Sequence, residues 1–428
     1  MNLLGNKGIR LYNLFPRLVG TMSRWREHLP RIKQMGFNAV YVNPFHYPGF
    51  SGSLYSPKDF FKFNPLFLDD GSPLSPIDQL RSFLEACHQQ GILFIMDLVI
   101  NHTAIDCTLI QEHPNWFKRH PNGEIVHPGA RDGDRWVEWG DLAEVDNEHS
   151  PDRANLWNFW WSMLSHYLDV GVDGFRCDMA YQVPGDLWRF LIGKARDKKP
   201  GCLFLAESLG CSFQQVQALA GVGFDYLFNS TKYWDFNAPW GMEQYWKISP
   251  LVATISFPES HDSPRLLQER NGDLMAVKRQ LIFAATFSQG YMIPIGFEYG
   301  FRRKLDVVQT QPSWWETTDI DLTGLIAHLN AIKDAYPVLN REPGLQIVDQ
   351  ANWANVFVYK RTAPGEKTVL VALNKDTAHH QHLFLPDLEA ILGPGVYRDI
   401  SPEYAMPEVP RRFEYGLRPS EVKLLTVA

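Results

Sequence analysis

The sequence predicts an α/β protein built on a closed (β/α)8 TIM barrel, with a small domain inserted after the third strand and an antiparallel β domain at the C-terminal end. Three observations lead to this prediction. Short apolar runs alternate with amphipathic helical stretches up to about residue 340. One long polar interval interrupts this alternation, and beyond Pro337 the pattern changes to strands of period two.

Eight apolar runs have the length of buried strands. The run at 92–100 is too uniformly apolar for a half-exposed strand and is typical of a parallel sheet. Eight strand–helix units are the number found in a (β/α)8 barrel. A doubly wound open sheet is the alternative, but it has fewer strands and a G-x-G-x-x-G first turn, which this chain lacks. The predicted strands are 9–12, 39–43, 92–98, 173–178, 202–207, 224–228, 252–257 and 292–297.

Helices are predicted between these strands from the helical spacing of apolar residues. Gly36 and Gly91 follow the first two helices and are typical helix-ending residues. The predicted helices are 25–35, 77–91, 153–169, 186–196, 212–220, 240–246, 273–288 and 321–335.

The interval 101–152 is too long for an ordinary loop between a strand and a helix, which has about 2–6 residues. We therefore expect an inserted domain over 101–150, with the barrel formed by 1–100 and 151–340. Residues 341–428 form the predicted C-terminal domain, because period-two runs separated by turn residues indicate antiparallel strands. Those runs are 353–361, 368–374, 379–386 and 421–427.

Composition narrows the partners and the compartment. The chain has 41 Lys and Arg against 48 Asp and Glu, a net charge of −7, which argues against nucleic-acid binding. We expect no membrane association, because no apolar stretch has the length needed to cross a bilayer. The five cysteines include no C-x-x-C pair, and the N-terminus has no signal-peptide pattern. A cytoplasmic protein with free thiols is the prediction.

Charged and polar residues stand at the carboxyl ends of the predicted strands, which meet at one mouth of a parallel barrel. A single Asp at such a position is most often a helix cap or a turn former. Several carboxylates converging on one mouth are harder to explain structurally, because burying like charges together is costly. The strand-end residues are Tyr12, Asn13, Asn43, Asp97, Asn101, His102, Arg176, Asp178, Glu207, Glu259, His261 and Asp262.

The chemistry that suits this cluster is cleavage of a glycosidic bond. With retention of configuration it needs a nucleophilic and an acidic carboxyl about 5–5.5 Å apart. Adjacent strands lie about 4.8 Å apart, so Asp178 and Glu207 on the fourth and fifth strands fit that requirement. Arg176 faces the same side of the strand as Asp178 and would keep it ionised. Asp262 would form hydrogen bonds with sugar hydroxyls that become stronger as the ring flattens in the transition state.

Four segments, in order and spacing, resemble the α-amylase family of glycoside hydrolases and transglycosidases: DLVINH (97–102), GFRCDMA (174–180), FLAES (204–208) and SHD (260–262). The resemblance implies a barrel with an inserted domain B and a β-sandwich domain C. It also implies that the substrate is an α-glucan or maltooligosaccharide with mostly α-1,4 linkages.

The same resemblance assigns roles to individual residues. Asp178 is implied as the nucleophile, Glu207 as the acid/base and Asp262 as the transition-state stabiliser. The residues implied to bind substrate are Tyr55, His102, Arg176 and His261, with Asp97 orienting Arg176.

The chain departs from the family pattern after the nucleophile. Tyr181 and Gln182 stand where many endo-acting members have Lys-His, which puts endohydrolysis of starch and calcium binding in doubt. Asn101 matches a calcium-ligand position of some members, but a hydrogen bond within the loop is the preferred role, and no cofactor is expected.

Aromatic residues near the mouth have two interpretations. Trp116, Trp136 and Trp139 are expected mainly to form the small core of the inserted domain. Aromatic residues in the loops 181–188 and 237–246 are better candidates for outer platforms on which sugars stack.

Three alternatives remain at this point. The chain could transfer a maltosyl-type unit to a sugar acceptor instead of water. It could be a glycan-binding barrel without activity, although all three implied carboxylates are present. A metal-dependent barrel hydrolase is the weakest alternative, because His102 and His261 lie on separate strands and no H-x-H motif is present on the first strand.

Overall fold

The computed structural model describes residues 3–5, 7–132, 135–209, 211–349 and 352–428. Fourteen strands precede residue 300. They are β1 (Arg10–Leu14), β2 (Ala39–Val42), β3 (His46–Pro48), β4 (Pro57–Phe63), β5 (Leu93–Leu98), β6 (His102–Ala104), β7 (Gly129–Asp132), β8 (Arg135–Glu138), β9 (Leu142–Glu144), β10 (Gly174–Cys177), β11 (Leu203–Ala206), β12 (Tyr226–Phe228), β13 (Ala253–Ser256) and β14 (Gly290–Pro294).

Eight of these strands close into a parallel barrel in the order β1-β2-β5-β10-β11-β12-β13-β14, with β14 pairing back onto β1. Each of the eight falls on or beside a predicted apolar run, except that β14 begins two residues earlier than expected. The fold class is therefore confirmed, and the open-sheet alternative is excluded.

In the described part of the chain, twelve α-helices accompany these strands. They are α1 (Pro16–Val19), α2 (Met22–Glu27), α3 (Leu29–Gln34), α4 (Pro76–Gln89), α5 (Leu109–Glu112), α6 (Arg153–Val170), α7 (Gly185–Lys198), α8 (Phe213–Ala220), α9 (Trp240–Ile248), α10 (Leu266–Glu269), α11 (Leu274–Phe287) and α12 (Thr323–Ala335).

The one helix predicted over 25–35 is two short helices, α2 and α3, that meet at His28. Pro30 has no backbone N–H to donate to the preceding turn, and its ring is tolerated only in the first turn of a new helix. Gly36 ends α3 with a positive φ of 85°, as predicted from the sequence.

Side chains on the barrel strands alternate between two apolar cores. One core fills the barrel and includes Leu11, Tyr41, Ile95, Leu205 and Ile255. The residues between them point outwards and pack under the helices, in a larger core that includes Val40, Met96 and Phe204. Since successive residues of a strand face opposite sides, residues 97, 176 and 207 face the barrel interior.

Small antiparallel sheets extend two of the loops at the carboxyl ends. Strands β3 and β4 pair after β2, and the sequence pattern did not predict this hairpin. After β5, strand β6 pairs with β9 and β7 pairs with β8, within the interval predicted as an insertion. The residue limits proposed for the domains stay predictions.

The C-terminal part is antiparallel. Its elements are β15 (Leu345–Ile347), β16 (Val356–Arg361), β17 (Val369–Asn374), β18 (Gln381–Leu385), α13 (Leu388–Leu392), β19 (Tyr397–Asp399), β20 (Phe413–Leu417) and β21 (Val422–Val427). A sheet in the order β15-β16-β17-β21-β19 and the pair β18-β20 enclose a separate apolar core, as in a sandwich.

The other face of the five-stranded sheet packs on the barrel. Phe357, Tyr359 and Val371 belong to the larger core around the barrel, whereas their neighbours Val356 and Val358 belong to the sandwich core. Both faces of this sheet are buried, which makes β16 and β17 more continuously apolar than ordinary antiparallel strands.

Among the described residues, no helix is long and apolar enough to cross a membrane.

Replacing Gly174 by Ala should destabilise the barrel next to Arg176. A Cβ at this position would lie 2.5 Å from the carbonyl oxygen and 2.8 Å from the Cβ of Leu203 on the neighbouring strand. We expect a loss of about 1–3 kcal/mol, the usual cost of overpacking. The thermal unfolding midpoint of Gly174→Ala measures this loss.

Gly193→Ala is the matched control, because a Cβ at this helical position meets nothing within 4 Å. This variant should be as stable as the wild type or more stable by about 0.5–1 kcal/mol. Equal midpoints for Gly174→Ala and the wild type would contradict the packing described for β10 and β11.

Candidate active site

A cleft of about 740 Å3 opens at the carboxyl ends of the barrel strands. Five residues predicted from strand ends and motifs line it: Tyr55, His102, Asp178, Glu207 and Asp262. Arg176 and His261 lie directly below, in a small cavity that Glu207 and Asp262 also border. The structure therefore brings together all three candidate catalytic carboxylates.

The Arg176 guanidinium holds three carboxylates at the floor of the cleft. Its Nη1 donates to Asp97 Oδ1 at 3.0 Å and to Asp178 Oδ1 at 2.7 Å, and its Nη2 lies 2.9 Å from Glu207 Oε2. Its side chain is only 5% exposed. Strand register explains the cluster, because Asp97 on β5 is paired with Arg176 on β10.

Asp178 and Glu207 follow the last residues of neighbouring strands. The Asp178 N–H donates to the Leu98 carbonyl and the Glu207 N–H donates to the Cys177 carbonyl, both at 3.0 Å. These bonds continue the barrel ladders by one residue and fix both side chains at the mouth. Asp178 is 8% exposed and Glu207 is 15% exposed, so both are largely withdrawn from solvent.

The electrostatics of Asp178 reflect two opposing effects. Burial raises the pKa of Asp178 well above its ordinary value, and the nearby charges of Glu207 and Asp97 raise it further. The Arg176 cation, by its charge and its hydrogen bond, lowers the same pKa. Arg176 is thus the group that favours the ionised form of Asp178.

Asp262 behaves differently although it faces the same cleft. Its side chain is 55% exposed. The protein around it opposes its ionisation, but His261 and the charges of Arg176 and Lys304 lower its pKa to about 2. His261 Nε2 lies 3.0 Å from Asp262 Oδ2. Asp262 is consequently an anion throughout the ordinary pH range.

Tyr55 forms the wall between Asp97 and His261. Its hydroxyl donates to Asp97 Oδ2 at 2.7 Å and lies 2.8 Å from His261 Nε2, and the two rings stack with an interplanar angle of 5°. His102 donates from Nε2 to the Tyr55 carbonyl at 2.9 Å, so it also positions the loop that carries Tyr55. Burial lowers the pKa of His102 to about 4, which keeps it neutral.

Tyr41 and Asn43 belong to the site, but the sequence analysis gave them no role there. The Tyr41 hydroxyl donates to Asp97, and the Arg176 guanidinium carbon lies 5.8 Å from the centre of its ring. Asn43 donates to the Tyr55 hydroxyl at 2.9 Å. Both lie on the inward face of β2 or its extension. Because alternate residues of a strand face the same side, the two-residue spacing of Tyr41 and Asn43 could have predicted that both face the barrel interior.

Met179 is a third residue without a predicted role. Its backbone N–H donates to Glu207 Oε2 at 2.9 Å, and its φ of 43° is left-handed, which is unusual for a residue with a Cβ. The turn after β10 therefore aims a backbone donor at the Glu207 carboxylate.

Glu259 and Tyr12 are strand-end residues that lie outside the cluster. Glu259 is 1% exposed and forms an ion pair with Arg265 at 2.8 Å. Its role is therefore structural and not part of the cleft. The Tyr12 hydroxyl donates to Glu298 at 2.6 Å, and its ring packs in the core under the helices.

The aromatic residues of the loops divide into core and cleft. Trp116 is buried as predicted, but Trp139 borders the cleft and Trp136 is 61% exposed, so the expectation of one tryptophan core is wrong for these two. In the loop after β10, Tyr181 lines the cleft, whereas Trp188 is buried in the core.

Asn101, the candidate calcium ligand, offers one side-chain oxygen that is free among the described residues. Calcium takes about six to eight oxygen ligands. Asn101 donates from Nδ2 to Gln182 Oε1 at 3.4 Å, and its Oδ1 is a single buried oxygen without a hydrogen-bond partner in the described part of the chain. Within that part, no group of three or more His, Cys, Asp and Glu residues could hold a metal ion.

Comparison with known proteins gives matches to α-glucan-active enzymes. Residues 2–119 match the family described as the glucanotransferase domain of glycogen debranching enzyme. An α-1,4-glucan:maltose-1-phosphate maltosyltransferase of Burkholderia pseudomallei is 24% identical, covering 86% of this chain and 33% of that protein. The corresponding maltosyltransferase of Myxococcus xanthus is 27% identical, covering 87% of this chain and 60% of that protein.

Among solved structures, the noncanonic maltogenic α-amylase AmyB of Thermotoga neapolitana has the same fold. It superposes with a TM-score of 0.77 at 21% identity and covers 100% of both chains. The chain spans between a third and about 60% of the two maltosyltransferases.

Two neighbouring carboxyls at the mouth of a barrel, held by one buried arginine, are an arrangement that suits cleavage of a glycosidic bond. The fold and these matches support the resemblance of the motifs to the α-amylase family of glycoside hydrolases and transglycosidases.

Proposed function

We propose that this chain cleaves α-glucosidic bonds, mostly α-1,4, in glucans or maltooligosaccharides, with retention of configuration. The observation that carries the proposal is the placement of Asp178 and Glu207 on the two terminal nitrogens of one guanidinium. Two carboxyls held by the same planar group are close together. This favours the separation of about 5–5.5 Å of retaining enzymes over the 6.5–9.5 Å of inverting ones.

In the first step, an Asp178 carboxylate oxygen attacks the anomeric carbon of the bound glucose unit. A bond forms between this oxygen and C1 while the glycosidic C1–O bond breaks. The proton of the Glu207 carboxyl goes to the departing oxygen, which leaves as a sugar hydroxyl. The product is a glucosyl ester on Asp178, and Glu207 is then a carboxylate.

In the second step, Glu207 accepts a proton from an incoming water molecule, whose oxygen bonds to C1 as the ester bond to Asp178 breaks. The released sugar has its original configuration because C1 has been inverted twice. Asp178 is again a carboxylate and Glu207 again carries a proton, so the cycle closes.

The surrounding residues act on the charge that develops at C1. His261 helps to lower the pKa of Asp262, so Asp262 is ionised. Its negative charge stabilises the positive charge that develops on the flattened sugar ring in the transition state. The stacked Tyr55 and His261 rings supply a rigid wall beside that ring. Asp97 fixes Arg176 and keeps the guanidinium in contact with both reacting carboxyls.

Transfer to a sugar acceptor is the second candidate function. The family match is to a glucanotransferase domain, and two of the similar proteins are named maltosyltransferases. Transfer uses the same first step, and an acceptor hydroxyl replaces water in the second. Exclusion of water from the cleft decides between the two outcomes.

Time-resolved product analysis on maltooligosaccharides tests this function. Asp178→Asn and Glu207→Gln should each lower kcat by roughly 10²–10⁴-fold, because one removes the nucleophile and the other the proton donor. Asp186→Asn, an exposed carboxylate on α7 paired with Arg189, is the matched control and should retain wild-type activity.

The lengths of the wild-type products separate hydrolysis from transfer. Products that are only shorter than the substrate identify a hydrolase, and longer products identify a transferase. Unchanged turnover in both Asp178→Asn and Glu207→Gln would refute the proposed roles and favour a barrel that only binds glycans.

Arg176→Gln should move the acidic limb of the kcat/KM profile to higher pH. The Arg176 charge lowers the pKa of Asp178, so its removal raises that pKa and the ionised nucleophile is lost at a higher pH. Activity should consequently fall more at pH 5 than at pH 8. The measurement is kcat/KM across this range on a maltooligosaccharide.

Arg196→Gln is the control for this experiment, because Arg196 pairs with Asp225 away from the cleft. Its profile should match the wild type. A uniform loss at every pH in Arg176→Gln, without movement of the acidic limb, would show that Arg176 does not control the ionisation of Asp178.

A further inference from the structure

We propose that a second α-glucan site lies outside the cleft, in a groove of about 340 Å3 between the loop after β12 and the C-terminal sandwich. The chemical class of the ligand rests on the proposed function. The residues that carry the argument are Trp234, Phe236, Trp246, Trp353, Phe357 and Lys375, and we call this surface the tryptophan groove.

The floor of the groove is apolar and rigid. Trp234 packs on Phe357 with ring centroids 5.3 Å apart and on Phe236 with centroids 5.4 Å apart. All three residues are buried at the junction of the barrel and the sandwich. The floor of the groove is therefore formed by packed core residues and is present in the folded protein.

Two tryptophans border the groove and remain in contact with solvent. Trp246 on α9 is 51% exposed, and Trp353 just before β16 is 42% exposed. Large exposed aromatic surfaces are unfavourable in water and mark binding sites when they cluster. They give the groove flat apolar faces, the shape that the C–H faces of a sugar ring require.

Polar groups stand beside these apolar faces. Lys375 donates from Nζ to Asn237 Oδ1 at 2.7 Å, and the same nitrogen lies 5.7 Å from the centre of the Trp353 ring. Glu243 lines the groove and is exposed. An ammonium, an amide and a carboxylate next to aromatic faces suit a ligand that has many hydroxyls and apolar faces.

The dimensions also favour a small ligand over a protein partner. The volume falls within the range of about 300–1,000 Å3 of small-molecule sites. The groove has 13 lining residues. A stable protein interface needs about 20–30 residues on each side, so a second copy of this chain is the less suitable occupant.

One loop connects the groove with the cleft. Ser230 and Tyr233 line the cleft, and Trp234 and Phe236, the next aromatic residues along the chain, line the groove. A long glucan bound in the groove therefore stays near the cleft at a high effective concentration. A short maltooligosaccharide gains nothing from the second site because it cannot occupy both.

The test is affinity electrophoresis in gels that contain soluble amylose. Wild type should be retarded, and the double variant Trp246→Ala/Trp353→Ala should lose about tenfold in apparent affinity, as expected when two aromatic anchors are removed. Its kcat/KM on maltotriose should equal that of the wild type, whereas its rate on amylose should fall. Each single variant should lose part of the affinity.

Tyr404→Ala is the matched control, because Tyr404 is 47% exposed in the C-terminal domain and does not line the groove. It should be retarded like the wild type, and all variants should share its thermal midpoint. Equal retardation of the double variant would overturn the inference, as would a wild-type dimer that the double variant dissociates. A chain that cleaves maltotriose but is not retarded by amylose refutes the groove alone; inactivity on every α-glucoside refutes the proposed function itself.

Discussion

The Arg176 guanidinium is the interaction on which the whole site depends. It contacts Asp97, Asp178 and Glu207 within 3.0 Å, in a place that water barely reaches. Three carboxylates buried together without a cation would repel one another and lose their hydration. Burial, with the charges of Glu207 and Asp97, keeps the pKa of Asp178 raised even in the presence of this cation.

Barrel geometry produces this cluster from simple sequence features. Residues two apart on a strand face the same side, so Arg176 and Asp178 point into the mouth together. Parallel pairing then places Asp97 beside Arg176, and the extension of β11 brings Glu207 to the same level. The apolar residues beneath them, such as Ile95 and Leu205, fill the barrel and support the charged layer.

The sequence was sufficient for the barrel and for the charged part of the site. The strands are nearly continuous apolar runs, so the pattern of hydrophobicity predicts the barrel. The acidic residues stand at the carboxyl ends of these strands, so their position predicts that they meet at one mouth. The sequence pattern did not predict the β3–β4 hairpin that follows β2, because its short strands have mixed polarity and pair with an irregular register. Pro30 divided a helix whose apolar spacing is continuous.

The missed parts of the site share a physical cause, because they depend on long-range contacts or on backbone conformation. Tyr41 contributes through a hydroxyl that reaches Asp97, 56 residues further along the chain. Met179 contributes a backbone N–H that its left-handed conformation aims at Glu207. Trp139 borders the cleft because the inserted segment folds back over the barrel mouth, which composition alone does not indicate.

The central claim is that two neighbouring carboxyls act on opposite faces of the anomeric carbon, through an ester with the enzyme. Proton NMR of the reducing end newly formed by cleavage of a maltooligosaccharide, recorded before mutarotation, shows the configuration at the anomeric carbon that reacted. The arrangement around Arg176 predicts the α anomer. Initial release of the β anomer would mean a single displacement by water, and would contradict the assignment of Asp178 as the nucleophile.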